Sequence, residues 1–337
     1  MLIVFVCIAL ALCGLALMVA WRRLSLTPPD AVGLSASAGS RAVQPNPAES
    51  VPASAPVAVP PGSPLPSPAA SVAPPAPPES AAPASANTPP APAGPVQRVR
   101  AALRRYLWWA TVVTVACFGT ALLWSLPASR LVMRVLALTS PHAEGSHTEA
   151  EALVGTISVD GTLSLLIFGV LPNAFLSAVL FALIHRWLPR GWLGGLIFGL
   201  LLLVVAAPID DPLRARNPDF AFLGPGWLAV LLFTVLVLGH GMLLAAVFGW
   251  YSRRLPLRPA RPWLAYAPLL AAVVYLPIGV LLLIGAGATA LGALIAPAVG
   301  RWWVSRSVAL AGRIALALLT LLALPGFITA VITIIAR

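Results

Sequence analysis

Few residues in this chain carry side chains able to do chemistry, and they fall in three places. The first is Ser140-Pro-His-Ala-Glu-Gly-Ser-His-Thr-Glu-Ala-Glu-Ala, where His142, Glu144, His147, Glu149 and Glu151 gather imidazole and carboxylate groups. Such groups hold zinc or a similar divalent ion. The spacing is H-x-E-x-x-H-x-E-x-E, whereas a zinc protease needs H-E-x-x-H so that one helix face carries both histidines. Pro141 and Gly145 break a helix here. Two readings stand: a metal site on His142, His147 and Glu144, or a solvated polar loop.

The second place is Pro208-Ile-Asp-Asp-Pro-Leu-Arg-Ala-Arg-Asn-Pro-Asp-Phe-Ala-Phe-Leu-Gly-Pro-Gly-Trp. Asp210, Asp211 and Asp219 flank Arg214 and Arg216, which predicts a compact ion-paired turn. Asp211-Pro212 and Asn217-Pro218 are turn formers, because the side chain caps the backbone and proline sets φ. Gly224-Pro225-Gly226 ends the loop. With this N-P-D-F…G-P pattern the chain resembles uncharacterised multi-spanning bacterial membrane proteins. The resemblance covers about residues 160–256 and implies a membrane fold, with no activity or site residue attached.

The third place lies inside apolar runs, where polar groups are costly and therefore informative. His240 sits in Leu238-Gly-His-Gly-Met, its glycines leaving room for a neighbouring helix. Asn173 follows Pro172, and Tyr275 precedes Pro277 by two. At similar depth on three helices, Asn173, His240 and Tyr275 predict one polar cluster, acting as hydrogen-bonded glue or as part of a substrate or proton path. No carboxylate accompanies His240 in its run, which weighs against a proton relay. Neither an aspartyl-protease pair nor a Ser/His/Asp set is evident.

The elements that position these residues are membrane helices. Of the 337 residues 59% are hydrophobic and 9% charged, with a mean hydropathy of +0.93. A soluble domain carries roughly 25% charged residues, so a water-soluble globule is excluded. From Val99 onward apolar runs near the ~20 residues needed to cross a bilayer predict spans at 106–126, 159–184, 192–209, 226–250, 263–283, 286–304 and 308–335. The stretch 263–304 is too long for one crossing, and Gly285-Ala286-Gly287 offers a hairpin point. Ser129–Leu138 reads as a short amphipathic helix on the membrane surface. Gly191, Gly195 and Gly199 form a small-residue ridge for close helix packing. Cys7, Cys13 and Cys117 lie in apolar runs as small fillers, without disulfide or zinc spacing.

Residues 1–23 read as a retained N-terminal helix, because Arg22 and Arg23 follow the apolar stretch; a cleaved signal carries its basic residues ahead of it. Residues 24–97 hold 20 Pro, 18 Ala and 11 Ser. That composition cannot bury enough apolar surface to order itself, and it reads as a disordered linker, either an inert spacer or a docking site for a protein partner. Residues 98–337 are expected to form a seven-helix bundle.

All 21 basic residues are arginine, giving a net charge of +11. With the N-terminus outside, 16 arginines fall on the cytoplasmic side and 5 outside, as the positive-inside tendency requires. A single crossing over 263–304 lowers this to 14 against 7. The arginines are spread over juxtamembrane turns, which points to anionic lipid headgroups and away from nucleic acid. The eleven tryptophans all fall near proposed span ends, the half-wet level indole prefers.

The expectation is therefore an all-α integral membrane helical bundle of about eight transmembrane helices in a bacterial plasma membrane, with a cytoplasmic Pro/Ala-rich linker and no cofactor. The leading function is a non-enzymatic scaffold or a regulatory or assembly subunit, its linker leaving the first helix mobile relative to the bundle. The competing classes are a transporter with a cavity at Asn173, His240 and Tyr275, and a metal-dependent membrane enzyme.

Overall fold

The computed structural model describes residues 2–20, 94–149, 153–210, 212–295, 303 and 305–337. Most of the Pro/Ala-rich linker, Glu151, Asp211 and the end of the expected 286–304 span lie outside them. The described residues are helical without a strand. In chain order the helices are α1 Leu2–Ala20, α2 Pro95–Leu138, α3 Val159–Ile184, α4 Trp192–Ala206 and α5 Gly226–Arg254. There follow α6 Pro262–Ala265, α7 Leu269–Val274, α8 Leu276–Ile295 and α9 Arg306–Ile335. Five of them (α2, α3, α5, α8 and α9) are long and apolar enough to cross a membrane, and α1 and α4 are shorter apolar helices.

Three features correct the sequence expectation. The first concerns α2, a single 44-residue helix about 66 Å long. It absorbs both the 106–126 span and the expected surface helix Ser129–Leu138. A π turn at Ala121–Ser125 precedes Pro127, and the wider turn lets the helix run on through the proline. Val132 and Leu136 are buried in a core with Leu203, Leu213 and Phe220, not laid on a surface.

The second correction concerns the hairpin. Gly285 and Gly287 lie inside α8 and the chain turns at Tyr275, whose φ of −93° and ψ of 85° leave the helical region. Pro277 has no N–H to continue a helical ladder and its ring clashes with the carbonyl four residues back, so the helix arriving from Leu269 ends at Val274. Gly279 completes the corner, since a Cβ there would sit 2.8 Å from the Ala272 carbonyl oxygen. Gly285 stays helical and makes room for Tyr106, which donates to the Leu282 carbonyl.

The third correction concerns α1. It is not held by the linker alone but lies antiparallel along α2, with Gly14 against Leu123 and Cys7 on the Arg130 side.

Helix contacts give the bundle two distinct ends. At one, the Trp108 indole donates to the Leu255 carbonyl at 2.7 Å and Arg186 to the Trp303 carbonyl at 3.0 Å. Twelve described arginines lie toward this end: 98, 100, 104, 105, 186, 190, 253, 254, 258, 261, 306 and 313; no described acid does. The opposite end carries Arg130, Arg134, Arg214, Arg216 and Arg337 together with Glu144, Glu149, Asp160, Asp210 and Asp219.

Candidate functional site

The polar centre of the bundle is built where α2, α3, α4 and α5 meet. Glycines set the approach. On α4, Gly195 and Gly199 face α5, where added Cβ atoms would lie 2.9 Å from the Met242 Cα and 3.0 Å from the Leu238 Cα. Gly241 returns the contact, 2.5 Å from the Gly199 nitrogen by the same measure. Gly239 opens the other side of α5 to Trp124, whose indole donates to the Leu236 carbonyl at 2.9 Å. His240, between these glycines, is buried.

Each ring nitrogen of His240 meets a serine. Ser125 Oγ lies 2.8 Å from Nδ1 and Ser177 Oγ lies 2.7 Å from Nε2. Ser177 also donates to the Ala174 carbonyl at 3.0 Å, which uses its one proton. The Nε2–H must then donate to Ser177 Oγ, leaving Nδ1 to accept from the Ser125 hydroxyl. One neutral tautomer satisfies all three side chains. Ser125 closes the π turn of α2, which is what aims its hydroxyl across to α5.

This arrangement is a tie between helices. Nucleophilic catalysis requires a base oriented by a third group and a route for substrate; here the histidine is flanked by a serine on each side and no carboxylate. The other two members of the expected cluster lie elsewhere. Asn173 faces out of the bundle and is exposed. Tyr275 donates its hydroxyl to the Ile167 carbonyl at 2.8 Å, tying the hairpin corner to a π turn in α3. Ser125 and Ser177 are the members that sequence reasoning missed. Their only sequence mark is being polar in apolar runs.

The two polar loops pack on each other, which the single-loop readings did not anticipate. Arg214 forms an ion pair with Glu149 of the other loop, and the Glu149 N–H donates to Asp219 Oδ1 at 2.8 Å. Asn217 Oδ1 accepts from the Asp219 N–H at 2.8 Å. Arg337 reaches back to the carbonyls of Ala215 and Asn217 at 2.8 and 3.2 Å. Ser140 Oγ bonds both the carbonyl and the N–H of Gly224 at 2.8 Å. Asp210 and Arg216 are exposed and enter no ion pair among the described residues.

His142, His147 and Glu144 are all exposed. Gly145 turns the chain at φ +81°, placing His142 in a short 3-10 turn and His147 in a bridge with Leu153. Among the described residues no three His, Cys, Asp or Glu side chains come together as a metal site.

Two cavities lie away from the centre, and His240 lines neither. At the Arg-rich end Arg100, Arg104 and Arg258 border a space of about 790 Å³ together with Leu103, Leu257 and Tyr266. At the opposite end a cavity of about 40 Å³ lies beside Arg130 and Arg134. His185, just past α3, is buried against Trp109 and Phe248. Burial holds its imidazole below the usual range, partly offset by the Nδ1–H bond to the Ala182 carbonyl. Comparison with protein-family models, with curated proteins and with solved structures returns no match for this chain.

Proposed function

We propose that the chain is a non-enzymatic integral membrane scaffold, or a regulatory or assembly subunit, of a bacterial cell membrane. The observation that carries this reading is the sparse packing of α8 and α9. Of their most apolar 18-residue windows 6% and 11% are buried, against 56%, 44% and 50% in α2, α3 and α5. A long apolar helix that its own bundle barely covers is available to membrane helices of another protein. The sealed Ser125–His240–Ser177 tie supports this reading over a transporter, which needs a water-connected path at that depth.

The proposal carries about eight membrane-embedded segments, with the N-terminus outside. The arm from Pro262 to Val274 spans about 20 Å, short of the ~30 Å hydrocarbon core. With α8 it makes a hairpin that starts and finishes toward the Arg-rich end, so the outside–inside alternation is unchanged. The one-sided charge supports placing that end in the cytoplasm, with Arg100, Arg104 and Arg258 toward anionic headgroups. Composition alone supports 24–97 as a cytoplasmic tether open to a protein partner.

Reconstitution into liposomes tests the reading against its rival. The proposal expects no solute flux above that of empty vesicles for ions or small metabolites. A flux abolished by His240→Ala would overturn it.

A further inference from the structure

We infer that the guanidinium of Arg130 forms a binding site for a small inorganic anion of chloride size, between α2 and the loop 153–157 that leads into α3. Arg130 is 8% exposed. Its Nε has no hydrogen-bond partner, and among the described residues the one ion pair is Arg214 with Glu149. A guanidinium is always charged, and burying a charge without a partner is costly.

The surroundings add positive charge. Arg130 lines the 40 Å³ cavity beside Arg134, one helical turn further on. Arg134 donates to the Gly155 carbonyl at 2.7 Å, which fixes its guanidinium there. No acidic side chain lines the space. A Cβ on Gly161, in the first turn of α3, would stand 3.5 Å from Arg130 Nη2. A helix N-terminus carries a partial positive charge and favours anions, so a lone cation beside it is of the wrong sign. Asp160 of the same turn is exposed and forms no ion pair with Arg130. An anion bound in the cavity answers both guanidinium groups at once.

Size sets the ligand class. A space of about 40 Å³ exceeds the roughly 10–15 Å³ that one water needs, which suits a monoatomic anion. Water alone would solvate the charge without neutralising it. Glu144, whose carboxylate oxygen stands 3.7 Å from a Cβ placed on Gly155, and Glu151, two residues before the cavity-lining Leu153 in sequence, are acids that compete for the role of counter-charge.

The test uses full-length protein in an uncharged detergent. Melting is followed by tryptophan fluorescence while gluconate is replaced by chloride at constant ionic strength. The expected result is a saturable rise of roughly 2–4 °C at about ten times Kd, lost in Arg130→Gln and kept in Glu151→Gln. Equal melting in the two salts overturns the site, as does a chloride effect that survives Arg130→Gln. A chloride effect seen only in Glu151→Gln also overturns it, by making Glu151 the resident counter-charge. Should Arg130→Gln fail to fold, the wild-type chloride NMR linewidth decides. Broadening relieved by bromide supports the site, and an unbroadened line contradicts it.

Discussion

Helices α5 and α8 are nearly equally apolar, yet they live differently in the bundle. On α5, Gly239 and Gly241 let Trp124 and the α4 backbone come within contact, and His240 between them is tied to two serines. On α8, close approach is confined to the first half, where Gly279 meets Ala272 and Gly285 meets Tyr106; Gly287 and Gly292 have nothing within 4 Å of an added Cβ, and most of the helix is uncovered. Lipid solvates an apolar side chain as well as another helix does, so oiliness alone does not pull helices together. Small residues that admit close backbones, and polar groups that need partners, decide which helices join the core.

The largest effect expected from this contrast comes from adding one side chain at matched glycines. Gly241→Val forces α4 and α5 apart and should cost at least about 3 kcal/mol, seen as loss of a monodisperse peak in size-exclusion chromatography. Gly292→Val in α8 should change stability by less than about 0.5 kcal/mol. Equal losses at the two positions would erase the distinction.

Next in size is the central tie. His240→Leu removes both serine partners, and about 1–3 kcal/mol of stability should go with them in denaturant unfolding. Adding Ser125→Ala and Ser177→Ala should recover most of that loss, because removing every polar member together leaves none orphaned. A triple variant no better than the single one would mean that His240 acts by shape alone. Tyr275→Phe, which breaks the bond to Ile167, should cost about 0.6–1.7 kcal/mol and loosen the hairpin corner to proteolysis.

The smallest effect is a pH dependence at the Arg-rich end. Burial lowers the His185 pKa in the folded state, so the unfolded chain takes up the proton more readily. Its contribution is fully present above the ordinary histidine pKa of about 6.5 and is lost as pH falls below it. Stability should therefore decline between pH 7 and 5, and His185→Phe should flatten that slope.

Much of this was readable from residue types. The apolar runs make a membrane helical bundle, and the glycines beside His240 announce a close helix approach. The register across helices was not readable. Ser125 reaches His240 through a π turn that inserts extra backbone without any proline or glycine of its own. The apex at Tyr275 in place of Gly285 follows from Pro277 and from Gly279 meeting Ala272, a contact seen only once the chain has folded back. The pairing of Arg214 with Glu149 joins residues 65 apart in the chain and depends on two loops meeting at one end.

The proposed scaffold role rests on α8 and α9 serving as the face offered to another membrane protein. Photo-crosslinking residues placed in the intact cell at the exposed positions Leu283 and Leu322 test it most directly, with buried Leu243 as the control. The account predicts that both exposed positions capture the same membrane-embedded protein and that Leu243 captures none. Lipid adducts alone at Leu283 and Leu322 would contradict it.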